Sequence, residues 1–401
     1  MNLNPILKYS LVTVLVLPGI AAASGFALIE QNASGLGNAY AGGAAIAEDA
    51  STIFYNPAGM SRLPGKQLAV AVNAIKPSVR FSGTGIPGNN NMGGDAGSLA
   101  YLPNAYFSMA VQPKLTVGVG LNVPFGLETS YDPGWTGRHQ AIKSRLETIN
   151  LNPSVAYQFS DNVSIGAGVD YQRIKGELTS FAGGAGTFAL KGDDSGWGYN
   201  LGTLIKIDPS LRAGIAYRSG IRYTLRGEGT FSAAPGGNGP MSLNIEMPQS
   251  ISGSLFRRLN ERWDTMVDLS WTGWGAFKQL QVLRSSGAVV QTVPQDWRNT
   301  WRVSAGASHH YNEQWTLRGG VAFDQTPVSD QYRSARIPDA DRYWLSLGGQ
   351  YKPTSGSAVD FGYAHLFVKD ASINSQSPPP ALVGSYSNSV DILSLQYTHS
   401  F

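Results

Sequence analysis

From Lys66 to the last residue the chain repeats with a period of two, one parity apolar and the other small or polar. Leu115, Val117, Val119, Leu121 and Val123 interleave with Thr116, Gly118, Gly120 and Asn122. Val163, Ile165, Ala167, Val169 and Tyr171 interleave with Ser164, Gly166, Gly168 and Asp170. Trp297, Trp301, Val303, Ala305 and Ala307 are expected to face away from Arg298, Thr300, Arg302, Ser304 and Gly306. Successive side chains of a strand point to opposite faces, so each such segment reads as a strand with one greasy and one wet face. Fourteen segments fit: 66–82, 101–112, 113–125, 144–160, 161–178, 195–208, 209–228, 242–258, 261–283, 296–311, 312–325, 340–353, 357–370 and 386–401.

The connections alternate as well. Short turns occur at Gln112-Pro113-Lys114, Ser160-Asp161-Asn162, Asp208-Pro209-Ser210, Asn260-Glu261, Asn312-Glu313 and Lys352 to Gly356. Long loops rich in Gly, Pro and Ser fall between them, at 83–100, 126–143, 179–194, 229–241, 284–295, 326–339 and 371–385. Six short and seven long connections suit an up-and-down barrel whose two ends lie on one side. A soluble β-sandwich shares the period of two. Three features favour a barrel in lipid: strands often long enough to cross a bilayer at a steep tilt, Trp and Tyr at strand ends, and one end with only tight turns. Charged residues are 14%, against ~25% in soluble domains. In lipid only a closed ring leaves no unpaired strand edge, so the fold class is an all-β, 14-stranded antiparallel transmembrane β-barrel.

The N-terminus reads differently. Lys8 precedes an apolar run from Leu11 to Ile20, and Ala21-Ala22-Ala23 follows. This is a secretory signal over 1–23, cut after Ala23. Residues 24–65 are compact, Ala/Gly-rich and without the period of two. They are expected to form a plug, or hatch, in the lumen of the barrel that spans 66–401. Gly35 and Gly37 lack the strand before and the Gly-Lys-Ser/Thr after that a phosphate loop needs.

Ser24-Gly25-Phe26, then Ser34-Gly35-Leu36-Gly37, Ala45 to Ala50 and Asn56-Pro57-Ala58 resemble the mature N-terminus of the long-chain fatty acid transport protein family, which includes outer-membrane channels for aromatic hydrocarbons. Ile337-Pro338-Asp339-Ala340-Asp341-Arg342-Tyr343-Trp344-Leu345-Ser346 resembles another segment of that family. The likeness covers the whole mature chain. It implies a Gram-negative outer-membrane location and passive transport of hydrophobic compounds, long-chain fatty acids first and aromatic hydrocarbons as the alternative. Ligand would be captured at the outer loops, pass to a lumen pocket and leave sideways through a kink in the third strand. By the same resemblance Phe26 blocks or contacts the pocket, and Asn56, Pro57 and Ala58 hold the hatch. Gly118, Gly120 and Pro124 are suitable kink sites, since Pro cannot donate to a ladder and Gly lets the backbone bend. The two glycines are equally explained as small residues beside the plug.

A fatty acid needs an apolar wall and one or two cations. Arg212, Arg218 and Arg222 in the seventh segment, Arg298 and Arg302 in the tenth and Arg318 in the eleventh have lumen parity. Arg298, Arg302 and Arg218 are taken as ligand contacts, because Arg holds a carboxylate by two parallel hydrogen bonds. The alternative is pairing with wall or hatch carboxylates, with Asp264 and Asp268 at matching parity. Arg173 falls in the resembling ligand region but has the parity of the lipid-facing Val169 and Tyr171, so either a bulge intervenes or it lies above the membrane. Phe181, Phe188 and Leu190 in one long loop and Phe231 in the next mark a first docking surface.

The last strand, with Leu393, Leu395, Tyr397, His399 and Phe401 on one parity, looks like the signal read by the barrel assembly machinery; outer-membrane lipid is the other partner. Enzymatic readings find no support: five His form no His-Glu-x-x-His, and no Gly-x-Ser-x-Gly or Walker loop is present. No metal or cofactor is expected. A net charge of +3 without a basic stripe speaks against nucleic acid. A surface barrel acting as an adhesin without substrate is the remaining reading from another class; an outer-membrane lipase would need a Ser-His pair that does not assemble.

Overall fold

The computed structural model describes residues 25–401; the signal segment 1–23 lies outside them. Counting each interrupted stave once, fourteen strands form a single antiparallel sheet. They are β1 (Lys66–Thr84), β2 (Ala100–Gln112), β3 (Leu115–Asn122, then Gly126–Ser130), β4 (Lys143–Gln158) and β5 (Val163–Phe181). Next come β6 (Thr187–Lys206), β7 (Leu211–Arg218, then Ile221–Phe231), β8 (Gly239–Met247, then Ser250–Arg258), β9 (Trp263–Thr272, then Gln279–Arg284) and β10 (Val289–Pro294, then Thr300–His310). The last are β11 (Trp315–Asp324), β12 (Arg342–Thr354), β13 (Ser357–Val368, then Ala371–Ser375) and β14 (Leu382–Ser400). β14 pairs with β1 from Gln67↔Ser400 to Thr84↔Val383, which closes the ring. The outward face is apolar where lipid would be: Val155, Ile215, Val267, Leu345 and Leu395 are all exposed. Exposed Trp263, Tyr311 and Trp315 edge this band at the short-turn end, and Trp197, Trp301 and Tyr343 toward the other.

Several strands differ from the sequence-based expectation in the same way. The loops expected at 179–194, 229–241 and 284–295 are largely β-hairpin: β5 runs to Phe181, β6 begins at Thr187, and β7, β8, β9 and β10 continue past the bilayer. β5 and β6 run on without a break and keep their parity, whereas on β7 and β8 the extension reverses it. Arg212, Gly214, Ala216 and Arg218 point inward on β7; after the interruption at Ser219-Gly220 the inward residues are Ile221, Tyr223 and Leu225. One inserted residue reverses the faces of everything beyond it. Arg222 is therefore not a lumen residue; it is exposed and paired with Glu246 at 3.0 Å. The segment from Gln295 to Asn299 breaks β10 likewise, so Trp297 is buried rather than lipid-facing.

Residues 25–65 pack against the inward face. Short helical turns at Leu36–Asn38, Thr52–Tyr55 and Pro57–Arg62 shape them. They lie so close to the wall that inward positions there are glycine: a Cβ on Gly202 would sit 1.9 Å from Asn56 Oδ1, and one on Gly214 1.9 Å from the Ala44 carbonyl. Arg212 donates to the Ala45 and Ile46 carbonyls, and Arg318 pairs with Glu48 and with Asp360 of β13.

Candidate functional site

The ladder between β2 and β3 stops at Ala105↔Leu121. Beyond it β3 breaks at Val123-Pro124-Phe125 and resumes against β4 alone, with Asn122 opposite Asn150 and Gly126 opposite Glu147. Three residues thus span the place of two, and Pro124 has no N–H to offer. Ala100 to Asn104 of β2 keep β1 as their neighbour but have no partner on the β3 side. Of the three positions proposed for a kink, Pro124 lies in this break. Gly118 and Gly120 lie outside it, within intact ladders, opposite Ser154 and Asn152. Their missing Cβ makes room for Ile53 and Met60 of the N-terminal segment.

The N-terminal segment occupies the gap. Leu28 N donates to Pro124 O at 2.8 Å, and Gly126 N to Phe26 O at 2.9 Å. The Gln31 carboxamide substitutes for the missing strand: Nε2 donates to Val123 O at 2.8 Å, while Oε1 accepts from Val123 N at 3.1 Å and from Asn104 Nδ2 at 2.8 Å. Tyr106 OH donates to Gln31 O and Asn73 Nδ2 to Glu30 O, tying the segment to β2 and β1. Glu30 is buried with one carboxylate oxygen lacking a hydrogen-bond partner. Burial pushes its carboxyl up to about 7 against the opposing pull of Arg342 and Arg302.

Phe26 lies at the centre of an aromatic cluster. Its ring centroid is 4.6 Å from Trp274, 5.5 Å from Trp297, 5.6 Å from Phe277 and 6.3 Å from Phe125. Trp274, Phe277 and Trp297 come from the interruptions of β9 and β10, which is why they turn inward. Gly25 N donates to Asp339 Oδ2 at 3.0 Å, and Asp339 is held by Arg342 and Thr326. This cluster separates two cavities. The inner one, of about 170 Å³, is lined by Ile29, Phe54, Phe125, Trp274, Arg218 and Arg302. The outer one, of about 40 Å³, is almost wholly apolar, with Phe26, Leu146, Leu190, Leu243, Ile245 and Phe277 on its wall.

The arginines singled out in the sequence divide. Arg302 is buried, donates to Ala39 O at 2.7 Å and lies 5.0 Å from the Trp344 ring. Arg218 pairs with Asp170 at 2.6 Å and donates to Phe54 O. Both border the inner cavity, yet both are already engaged by wall or N-terminal groups. Arg298 is exposed in the β10 interruption, where it donates to Thr326 O at 3.2 Å; the lumen position expected of it is not found, because the strand parity does not extend there. Arg173 keeps its outward parity and pairs with Asp193 at 2.9 Å. Asp264 pairs with Arg258 and His310, and Asp268 accepts from Ser254 and Ser270; among the described residues neither makes a contact ion pair with the expected lumen arginines.

Phe188 and Leu190 join the apolar cluster around Phe26, with Phe231 packed at its margin, so they are strand rather than loop residues, and of the three Leu190 lines the outer pocket. Phe181 instead packs edge-on against His139, with Arg138 over its ring. Asn56 Nδ2 donates to Ala44 O at 2.6 Å and to Thr203 O at 3.0 Å on β6; Pro57 opens the following turn, and Ala58 N is capped by Asn56 Oδ1. Gln31, Trp274, Trp297 and Arg336 were missed as site residues. The closeness of Arg336 to the Ile337-Pro338-Asp339 segment was the one signal available for it.

The family model described as "Outer membrane protein transport protein (OMPP1/FadL/TodX)" matches residues 14–401. A long-chain fatty acid transport protein of Salmonella typhi is 29% identical over 402 residues, covering 90% of this chain and 92% of its own. The crystal structure of a Pseudomonas aeruginosa FadL homologue superposes with a TM-score of 0.88 at 27% identity, covering 94% of this chain and 100% of that one. The Ralstonia pickettii toluene transporter TbuX shares the fold, with a TM-score of 0.71 at 20% identity over 92% of this chain and 98% of its own. The closed fourteen-strand barrel with its lipid-facing apolar band belongs to the OMPP1/FadL/TodX family of outer membrane transport proteins, and is a transport channel, not an enzyme.

Proposed function

We propose that the chain takes up long-chain fatty acids passively across the outer membrane. Ligand collects in the outer apolar pocket, passes Phe26 into the inner cavity and leaves sideways between β2 and β3. One observation carries this reading: the β2–β3 ladder is broken beside the inner cavity, and the gap is filled by residues 26–31 of the N-terminal segment rather than by a strand. The N-terminal segment 24–65 then serves as hatch, with Asn56, Pro57 and Ala58 fixing its far part while residues 26–31 move. The substrate class follows a relative that matches over 90% of this chain. Arg302 and Arg218 border the route as polar contacts. Leu190 lines the capture pocket, and Phe188 and Phe231 pack behind it.

The chain has no Cys, so a single introduced pair tests the exit. Ala27 and Phe125 are antiparallel bridge partners, a spacing that suits a disulfide. Ala27→Cys with Phe125→Cys should show oleate uptake into cells that falls when the pair is oxidised and returns on reduction. Uptake unaffected by the closed disulfide would refute lateral exit.

A further inference from the structure

The outer pocket carries a cation that no carboxylate among the described residues neutralises. Arg336 lies in the chain that folds into the bore between β11 and β12, is 2% exposed, and lines the pocket beside Leu127, Leu178 and Ile337. Its Nη1 donates to Ser144 Oγ at 3.1 Å and, at longer range, to the carbonyls of Lys143 (3.3 Å) and Thr179 (3.4 Å), all neutral acceptors. Its Nη2 is buried without a hydrogen-bond partner. Among the described residues no carboxylate forms an ion pair with it, whereas the buried Arg318 and Arg342 both have one. Burial in this setting pulls the guanidinium down to about 10, so it stays charged at neutral pH. Removing a charge from water without a counter-charge is costly. Such a group fits a site whose counter-ion arrives with the ligand.

We propose that Arg336 anchors the carboxylate of a long-chain acid whose acyl chain lies along the leucines of the outer pocket. The inference rests on the reading of that pocket as the capture site and adds its head-group chemistry. The unpartnered Nη2 is the charged donor that a carboxylate accepts. The cavity of about 40 Å³ holds little more than a water molecule, so the acyl chain enters as the Phe26 ring withdraws. A neutral hydrocarbon of equal length gains the apolar contacts but leaves Nη2 unsatisfied, which makes Arg336 the residue that selects acids over hydrocarbons.

The test measures binding of radiolabelled oleate and of oleyl alcohol to the full barrel in lipid nanodiscs, for wild type, Arg336→Met, Arg336→Gln and Leu243→Trp. Both Arg336 variants should lose about tenfold or more in oleate affinity, while oleyl alcohol stays within about twofold. Arg336→Met should unfold at the same temperature as wild type or higher, since it removes an unpaired buried charge; a merely structural arginine would lower it. Leu243→Trp, which fills the pocket, should weaken both ligands. Oleate bound by Arg336→Met and Arg336→Gln as tightly as by wild type, with Leu243→Trp weakening both ligands, would overturn the anchor alone. Undiminished binding of both ligands to Leu243→Trp would place the ligand elsewhere, overturning the pocket reading and the anchor with it.

Discussion

Replacing Phe26 by Ala should release the N-terminal segment from the gap in the wall. The ring is 1% exposed and touches four other aromatic rings. Truncating a fully buried Phe costs about 3–5 kcal/mol. The other interactions that hold this stretch are Gly25 N to Asp339, Leu28 N to Pro124 O, Gly126 N to Phe26 O, Tyr55 OH to Ile29 O, Asn73 Nδ2 to Glu30 O and the Gln31 contacts. These remain in the variant, so the loss falls on the docking equilibrium. At the lower end of that range the undocked population rises by roughly two orders of magnitude. The amides of Leu28 and Gly126 report it directly, because each donates across the segment–β3 junction. Hydrogen exchange of the full protein in nanodiscs should show about a hundredfold less protection at both amides. The β4 amide of Asn150, within the membrane ladder, should not change. Protection at Leu28 and Gly126 within about threefold of wild type would mean that Phe26 does not hold the segment, and the gating argument built on it would fail.

Docking should also depend on pH through Glu30. Its carboxyl is raised from 4.5 to about 7 when docked, so the docked state keeps a proton that the undocked state gives up between those values. Docking is then strongest in acid and weakens by on the order of 3 kcal/mol as pH rises to about 7; the same two amides should exchange more readily at neutral than at acidic pH after correction for intrinsic rates, and Glu30→Gln should abolish the trend. Gly202→Ala puts a methyl 1.9 Å from Asn56 Oδ1 and should destabilise hatch packing by about 1–3 kcal/mol, seen as greater sensitivity of cells to bulky polar antibiotics. Gly253→Ala, with open space around it, should leave sensitivity unchanged. Arg218→Met or Asp170→Asn alone should each cost about 3–5 kcal/mol in thermal unfolding in detergent, and the double variant less than the sum, because one change alone strands a buried charge.

Strand number, closure and most outward faces were legible because period two survives wherever a strand runs straight. β4, β5 and β14 needed no more than that. The sequence reading failed where one residue was inserted. Arg222, Trp297 and Arg298 were each assigned a face by extending a parity across Ser219-Gly220 or the β10 interruption, and each took another environment. Pro248 at the β8 interruption and Pro124 at that of β3 are visible breakers, but an interruption at Ser219-Gly220 carries no comparable mark. The roles of Gln31 and Arg336 were not legible at all. They depend on which carbonyls and leucines a distant segment brings within 3–4 Å, and neither residue type nor spacing encodes that. The alternative explanation of Gly118 and Gly120, as small residues beside the plug, became decidable only once Ile53 and Met60 were seen against them.

The interruptions explain how one barrel holds both a wet bore and a greasy pocket. Strict alternation in a membrane barrel makes the inside polar at every height. A pocket for an apolar ligand needs the reverse, and it must lie above the lipid so that the outside can become polar at the same level. A single-residue slip meets both conditions at once. Below the slip, β7 presents Arg212 and Arg218 to the bore and Ile215 to lipid; above it, the strand presents Leu225 to the pocket and Arg222 and Arg226 to solvent. β8 does the same around Pro248-Gln249, turning Leu243 and Ile245 inward while Asn244 faces out. Removing the slip by deleting Gly220 would return Leu225 to the solvent side and bring Arg226 into the pocket. The expected result is a folded barrel, since the membrane ladders are untouched, with oleate capture lost. A deletion variant that folds and still captures oleate at wild-type affinity would show that the pocket does not depend on the reversed parity of β7.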